Sequence, residues 1–314
     1  MKERYIREIL AAFPYPIVAF FSKLRTDECF DPGPLRLKYI LSTGETIARF
    51  LGTVTLCECR DYLERHPDSP PPPHLTADFS ARFSRPAWGT WMHFTREGLR
   101  WLSEADAEIT MPEMAGLYFK KGGGEAEPAA ALGKLLTIRN GLNHEKIQAF
   151  RPSDYRELCE ETCAHLESVL EAMEFLLNYE LVFINQIEVN KKRKAPPLFL
   201  HRLSMLMGSS DAFPGDRKQM NEFMDSRSIF LLNVEARKHL NLTPLLVYES
   251  AAGKAPDIFF FNGFDKPDAV EYSACNHGGG FVSGNSDQAG DIALEIGNIL
   301  SLFSAKPMGG ETHG

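Results

Sequence analysis

Apolar positions along this chain follow two rhythms. Up to about residue 180 they recur every three or four residues, the period of a helix with one buried face. Residues 2–24 read as helical, with a break at Phe13-Pro14-Tyr15-Pro16. After a loop over 27–34, Leu37, Ile40, Leu41, Ile47 and Leu51 predict a long helix over about 35–65, which His66-Pro67 ends. Pro70 to Pro73 form an extended surface loop. Pro86 can open a further helix carrying Trp88, Trp91, Met92, Leu99 and Trp101, and the two early tryptophans read as core packing rather than base-stacking platforms. A glycine-rich loop over 122–128 leads into a helix from about Ala129. Ser153 is a suitable N-cap for another, on which Tyr155, Leu158, Thr162, Leu166, Val169, Met173 and Leu176 recur to about Tyr179.

The rhythm changes at Leu181. Strand candidates are 181–189, 198–205, 229–234, 244–248, 258–262 and 270–273, with turn signals at Gly253-Lys254, Asn262-Gly263 and Pro267-Asp268. Residues 287–303 suit one closing helix, and the tail beyond is glycine-rich. The expected fold class is therefore α+β. A helical domain over 1–180 precedes a smaller β-rich domain over 181–314, built as an antiparallel sheet or barrel and carrying a C-terminal helix and tail.

Composition narrows the function. The chain has 314 residues, 44% hydrophobic and 24% charged, the profile of an ordinary soluble protein. A net charge of −8 argues against coating nucleic acid by bulk electrostatics but leaves room for a local basic cleft. The six scattered cysteines suit free thiols in a reducing cytoplasm. The apolar run from Ile9 to Phe21 is preceded by Glu3 and Glu8 and broken by Pro14 and Pro16, so it reads as the start of a bundle rather than a secretory signal. No stretch reaches the length of a membrane span. No cofactor or metal is expected. Gly278 to Gly284 fails dinucleotide and P-loop spacing, Cys275-x-His277 is half a metal site, and Cys159 and Cys163 near His165 read as core thiols.

The chemistry concentrates in Ile138-Arg139-Asn140-Gly141-Leu142-Asn143-His144. Arg139 falls four residues after Leu135 and seven after Leu132, so it shares their stripe and should point into a bundle or a subunit contact. A guanidinium there needs an acid partner or an anion. Gly141 can end or loosen the helix, letting the imidazole of His144 swing back toward Arg139. Asn140 and Asn143 supply short amides that can hold the histidine's second nitrogen. Guanidinium and imidazole together suit phosphodiester cleavage without a metal: histidine moves the proton, arginine stabilises charge on phosphorus. The plainer alternative is an arginine paired with a glutamate and followed by a solvated histidine. Lys191, Lys192, Arg193 and Lys194 fall between two expected strands, either as a solvated hairpin tip or as a phosphate-contacting loop.

Arg139-Asn140-Gly141-Leu142-Asn143-His144 resembles the signature of the HEPN superfamily (higher eukaryotes and prokaryotes nucleotide-binding domain): Arg, a polar residue often Asn, three more residues, then His. The setting is similar too, a helical region of about 180 residues with the motif late and a long helix after it. Ser84-Arg85-Pro86-Ala87-Trp88-Gly89-Thr90-Trp91 resembles a stretch found in some HEPN proteins of prokaryotic defence islands. The resemblance implies a HEPN-like bundle and a metal-independent endoribonuclease of defence or stress response. Its site would form where two protomers meet, with Arg139 and His144 as the catalytic pair, Asn140 and Asn143 beside them, and 2′,3′-cyclic phosphate ends on the RNA. The implied partners are RNA, a second copy through the helical domain, and a protein or activating ligand at the β domain. Many HEPN members are inactive, so the alternative is a non-catalytic interaction or immunity module. An RNA-binding protein working through the β domain alone is a third reading.

Overall fold

A computed structural model describes residues 1–144, 151–220, 222–250, 256–266, 269–276, 279–282 and 289–304; for 143, 144, 281, 289 and 290 it describes the backbone alone. Two short helices, α1 (Glu3–Ala12) and α2 (Tyr15–Phe21), are split at Phe13 and Pro14. They lead to α3 (Pro34–Arg65), the axis of the helical region. Pro34 sits in its first turn, where a missing N–H leaves nothing unpaired. At the far end the His66 N–H reaches the Tyr62 carbonyl at 2.9 Å, and Pro67 cannot continue the helix. Leu37, Ile40, Ile47, Phe50, Leu51, Val54 and Leu56 are all buried, so α3 is enclosed around its circumference rather than along one stripe.

Around it lie α4 (Pro73–Thr76), α5 (Phe79–Ser84), α6 (Trp88–Glu104), α7 (Met114–Tyr118), α8 (Glu127–His144) and α9 (Pro152–Ala172). Small residues let α6 approach α3 closely. A Cβ placed on Gly52 would stand 2.7 Å from Trp91 Cε3, and one on Gly98 would stand 2.5 Å from Thr55 Cγ2. Trp88 and Trp91 are each 1% exposed, which settles them as core residues.

The strands form two antiparallel sheets. β1 (Tyr179–Asn190), β2 (Leu198–Met205), β3 (Gly215–Met220), β4 (Ile229–Asn233) and β5 (Lys238–Asn241) are ordered β3-β2-β1-β4-β5. β6 (Leu246–Ser250), β7 (Pro256–Lys266), β8 (Ala269–Ala274) and β9 (Gly280–Val282) follow in sequence order across the second sheet. Among the described residues neither sheet closes on itself, so of the two expected forms the open sheet is present and the barrel is not. The fold is α+β, helical first and antiparallel β after. The last helix, α10 (Ala289–Ser304), returns to the helical region, where Phe303 stacks on Phe79 with ring centroids 4.5 Å apart.

The change from helix to strand at residue 179 does not divide the core. Leu206, Ile229, Leu231, Leu240, Leu242, Phe261 and Ile296 belong to the same buried cluster as the side chains of α3. Polar bonds cross the same seam. Glu58 Oε1 accepts the Thr110 N–H at 2.7 Å, and the Thr110 carbonyl accepts the Tyr179 hydroxyl and the Asn233 amide, each at 3.2 Å. Arg60 donates to the carbonyls of Thr243 and Asn241, both at 2.7 Å. No helix among the described residues is long and apolar enough to cross a membrane.

Candidate functional site

Helix α8 carries the Arg-x4-His motif at its C-terminal end. Gly122, Gly123 and Gly124 precede it with φ of 96°, 94° and 88°, a left-handed run that only glycine makes without strain. Leu132 and Leu135 are buried, and Leu135 Cδ1 would be 3.0 Å from a Cβ on Gly44, so this stripe seats α8 directly on α3. Leu136 and Leu142 pack half-buried on the same core.

Arg139 lies at the margin of that stripe, not inside the bundle. Its side chain is 39% exposed, its Nη2 is 3.9 Å from Glu45 Oε2 on α3, and its Nη1 donates to Asn140 Oδ1 at 3.4 Å. Of the two settings expected for this arginine, the bundle interior is thus corrected, and a subunit contact is left as the other. Four residues on from Glu45, Arg49 faces the same carboxylate, which acts to keep that guanidinium charged against the desolvation opposing it. Arg49 also donates to Ser273 Oγ at 2.8 Å and to Asn262 Oδ1 at 3.3 Å, and lies over the Phe260 ring at 5.0 Å. The two guanidiniums near Glu45 thus face different elements, Arg139 on α8 and Arg49 toward β7 and β8.

The helix does not end at Gly141 but continues regularly to His144. Glycine permits a break and does not compel one. At about 100° per residue, positions 139 and 144 lie about 140° apart around the axis, 139 and 143 about 40°, and 140 and 144 about 40°. The side chains of Asn143 and His144 lie outside the described residues. Asn140 is exposed.

Lys191, Lys192, Arg193 and Lys194 are all exposed in the loop joining β1 to β2, whose last paired residues are Asn190 and Leu198. The Ala195 N–H closes a turn on the Lys192 carbonyl at 3.2 Å. Among the described residues no hydrogen bond or ion pair links this loop to Arg139, so the structure places the two candidate groups on separate elements.

Cys159 and Cys163 each have a separate partner, the Gly33 carbonyl at 3.7 Å and Arg36 Nη2 at 3.6 Å. Among the described residues no group of three or more His, Cys, Asp or Glu is arranged to hold a metal ion. His277 lies outside the described residues. Two clefts, of about 350 and 390 Å³, share His239 as a lining residue; the larger is lined by Lys218, Met220, Met224, Leu232, Arg237 and Lys238 among others.

Sequence reasoning did not find Glu45 and Arg49. Their signal is an acid and a base four apart in a helix otherwise given over to buried residues. Comparison of the chain with protein-family models, with curated proteins and with solved structures gives no match.

Proposed function

We propose that this chain is a HEPN-type, metal-independent endoribonuclease acting in prokaryotic defence or stress response in the cytoplasm. The observation that supports this best is the state of Arg139. Its guanidinium reaches solvent and is held by Glu45 at 3.9 Å, a loose pairing that a phosphate can replace. The motif also closes one helix shortly before the 21-residue α9 begins, the setting the resemblance calls for.

In this reading Arg139 binds and polarises the scissile phosphate. His144 takes the proton from the adjacent 2′-hydroxyl or delivers one to the leaving 5′-oxygen, and Asn140 and Asn143 orient it. The products are a 2′,3′-cyclic phosphate and a 5′-hydroxyl. An unbroken helix aims positions 139 and 144 about 140° apart, which disfavours one copy bringing both to a single phosphate. A second copy docked through the helical region would bring its own motif to the groove, giving a homodimer with composite sites. The 390 Å³ cleft beside His239 is of a size to take an activating ligand.

The Glu45 pairing also favours a second reading, a non-catalytic interaction or immunity module in which Arg139 is structural. One substrate separates the two. An RNA cut in excess EDTA should resist cutting once the scissile nucleotide is changed to 2′-deoxy, and the cut strand should end in a cyclic phosphate. Cutting that needs magnesium, or that ignores the missing 2′-hydroxyl, excludes the proposed chemistry.

A further inference from the structure

The β1–β2 hairpin combines two features that composition alone keeps apart. Val189 and Phe199 are directly paired, so they emerge on one face, and Phe199 is paired in turn with Met220 of β3. The Phe199 ring meets Phe223 edge-on with centroids 5.6 Å apart. Phe223 is 65% exposed and Val189 is 56% exposed, so an aromatic and aliphatic surface stands in water at the foot of the hairpin loop. Directly beyond it is the basic loop.

Charge on this sheet is also distributed unevenly. Residues 179–241 contain ten Lys and Arg against seven Asp and Glu, inside a chain of net charge −8. Several of those cations are already matched: Arg202 to Glu188, Lys218 to Glu180, and Lys238 to Glu108. Lys191 to Lys194 have no ion-pair partner among the described residues, so four adjacent, exposed cations stand together at the hairpin tip.

We infer that the hairpin is a grip for single-stranded RNA, with Lys191 to Lys194 meeting successive phosphates and Phe223, braced by Phe199, stacking on a base. Unmatched cations beside exposed aromatic faces are the two components of single-strand binding, and a duplex hides the base faces that the aromatics need. A lipid surface fits less well. A membrane-docking loop carries its apolar groups at or beyond its cations, whereas this tip reads Lys-Lys-Arg-Lys-Ala-Pro-Pro and the aromatics lie behind it. The choice of RNA rests on the ribonuclease reading; the grip is tested by binding alone, so the two fail separately.

The test is fluorescence anisotropy of the full chain with a labelled 2′-O-methyl oligouridylate, which cannot be cut through its 2′-oxygen. The single strand should bind more tightly than a duplex of equal length. Phe223→Ala should weaken binding about 5- to 150-fold, the range for losing one stacked base, and Phe223→Tyr should retain it. Because Phe223 is largely exposed, neither variant threatens the core. Replacing Lys191 to Lys194 by Ser should lower the slope of log affinity against log salt by about 0.7 per lost phosphate contact. Equal affinity for duplex and single strand, or wild-type binding by Phe223→Ala, overturns the grip. So does preferential capture by phosphatidylserine vesicles, which identifies a lipid-binding loop. Single-strand binding of this kind by a wild-type chain that cuts no RNA leaves the grip standing and counts against the nuclease.

Discussion

Glu58 shows how one side chain sets a pH response for the whole fold. It is 2% exposed, and burial pushes its carboxyl up to about 7 against the opposing pull of the Thr110 and Met111 N–H donors. The folded state therefore holds the proton more tightly than the unfolded chain, whose carboxyl titrates near 4.5. Stability from this group is fully present below about 4.5 and is lost as pH rises through about 7. At 1.36 kcal/mol per unit the loss is about 3 kcal/mol. Asp61 and Glu295, also raised by burial, act in the same direction. Glu58→Gln keeps a carbonyl oxygen for the two donors and removes the titration. Urea unfolding at pH 5 and pH 8 should show the wild type losing stability across that interval, and the variant losing about 2.5 kcal/mol less, because part of the loss is already complete at pH 5. Identical losses would mean that Glu58 does not titrate in the folded state. At the surface, Glu45→Gln should free Arg139 and tighten binding of the non-cleavable oligonucleotide by a few fold, since one competing charge is removed; unchanged affinity would place Arg139 outside the binding surface.

At the level of elements, the glycines of α3 and α6 fix how closely the two helices pack. Gly98→Ala puts a methyl group 2.5 Å from Thr55 Cγ2 and 3.1 Å from Cys59 Sγ, both on the enclosed helix. A destabilisation of about 1–3 kcal/mol is expected from such overpacking, read as a lower urea midpoint at unchanged slope; an unaltered midpoint would mean that the helices yield freely. The same elements show what the sequence made legible. The long helix was predictable over 35–65 and spans Pro34–Arg65, because its apolar positions are dense and its ends carry proline signals. β1 was predictable from residue 181 to 189 for its β-branched and aromatic content, Val182, Phe183, Ile184, Ile187 and Val189. β3, reading Gly-Asp-Arg-Lys-Gln-Met, was not, because an edge strand exposed along most of its length has no apolar alternation to announce it. At the candidate site, Arg139 and its stripe were legible from spacing within one helix. Its acid partner was not, since Glu45 comes from a helix distant in sequence and pairs only through the fold.

At the scale of the molecule, one buried cluster runs from Ile6 to Phe303 through both the helices and the sheets. Urea unfolding followed by fluorescence of Trp88, Trp91 and Trp101, all in α6, should coincide with unfolding followed by far-ultraviolet dichroism, which also reports the strands. Two separated transitions would show that the regions before and after residue 180 fold independently. A composite site further requires association, so light scattering at micromolar concentration should give twice the 35.3 kDa chain mass; a strict monomer would count against two motifs sharing one groove. In the proposed reaction Arg139 and His144 supply the chemistry. The most direct measurement of these roles is the single-turnover rate of RNA cleavage in excess EDTA for the wild type, Arg139→Ala and His144→Ala, each with a wild-type urea midpoint. Cleavage by the wild type and a loss of at least about 100-fold in each variant are expected, the scale of a missing general acid–base or charge-stabilising group. Cleavage at the wild-type rate in both variants would contradict them.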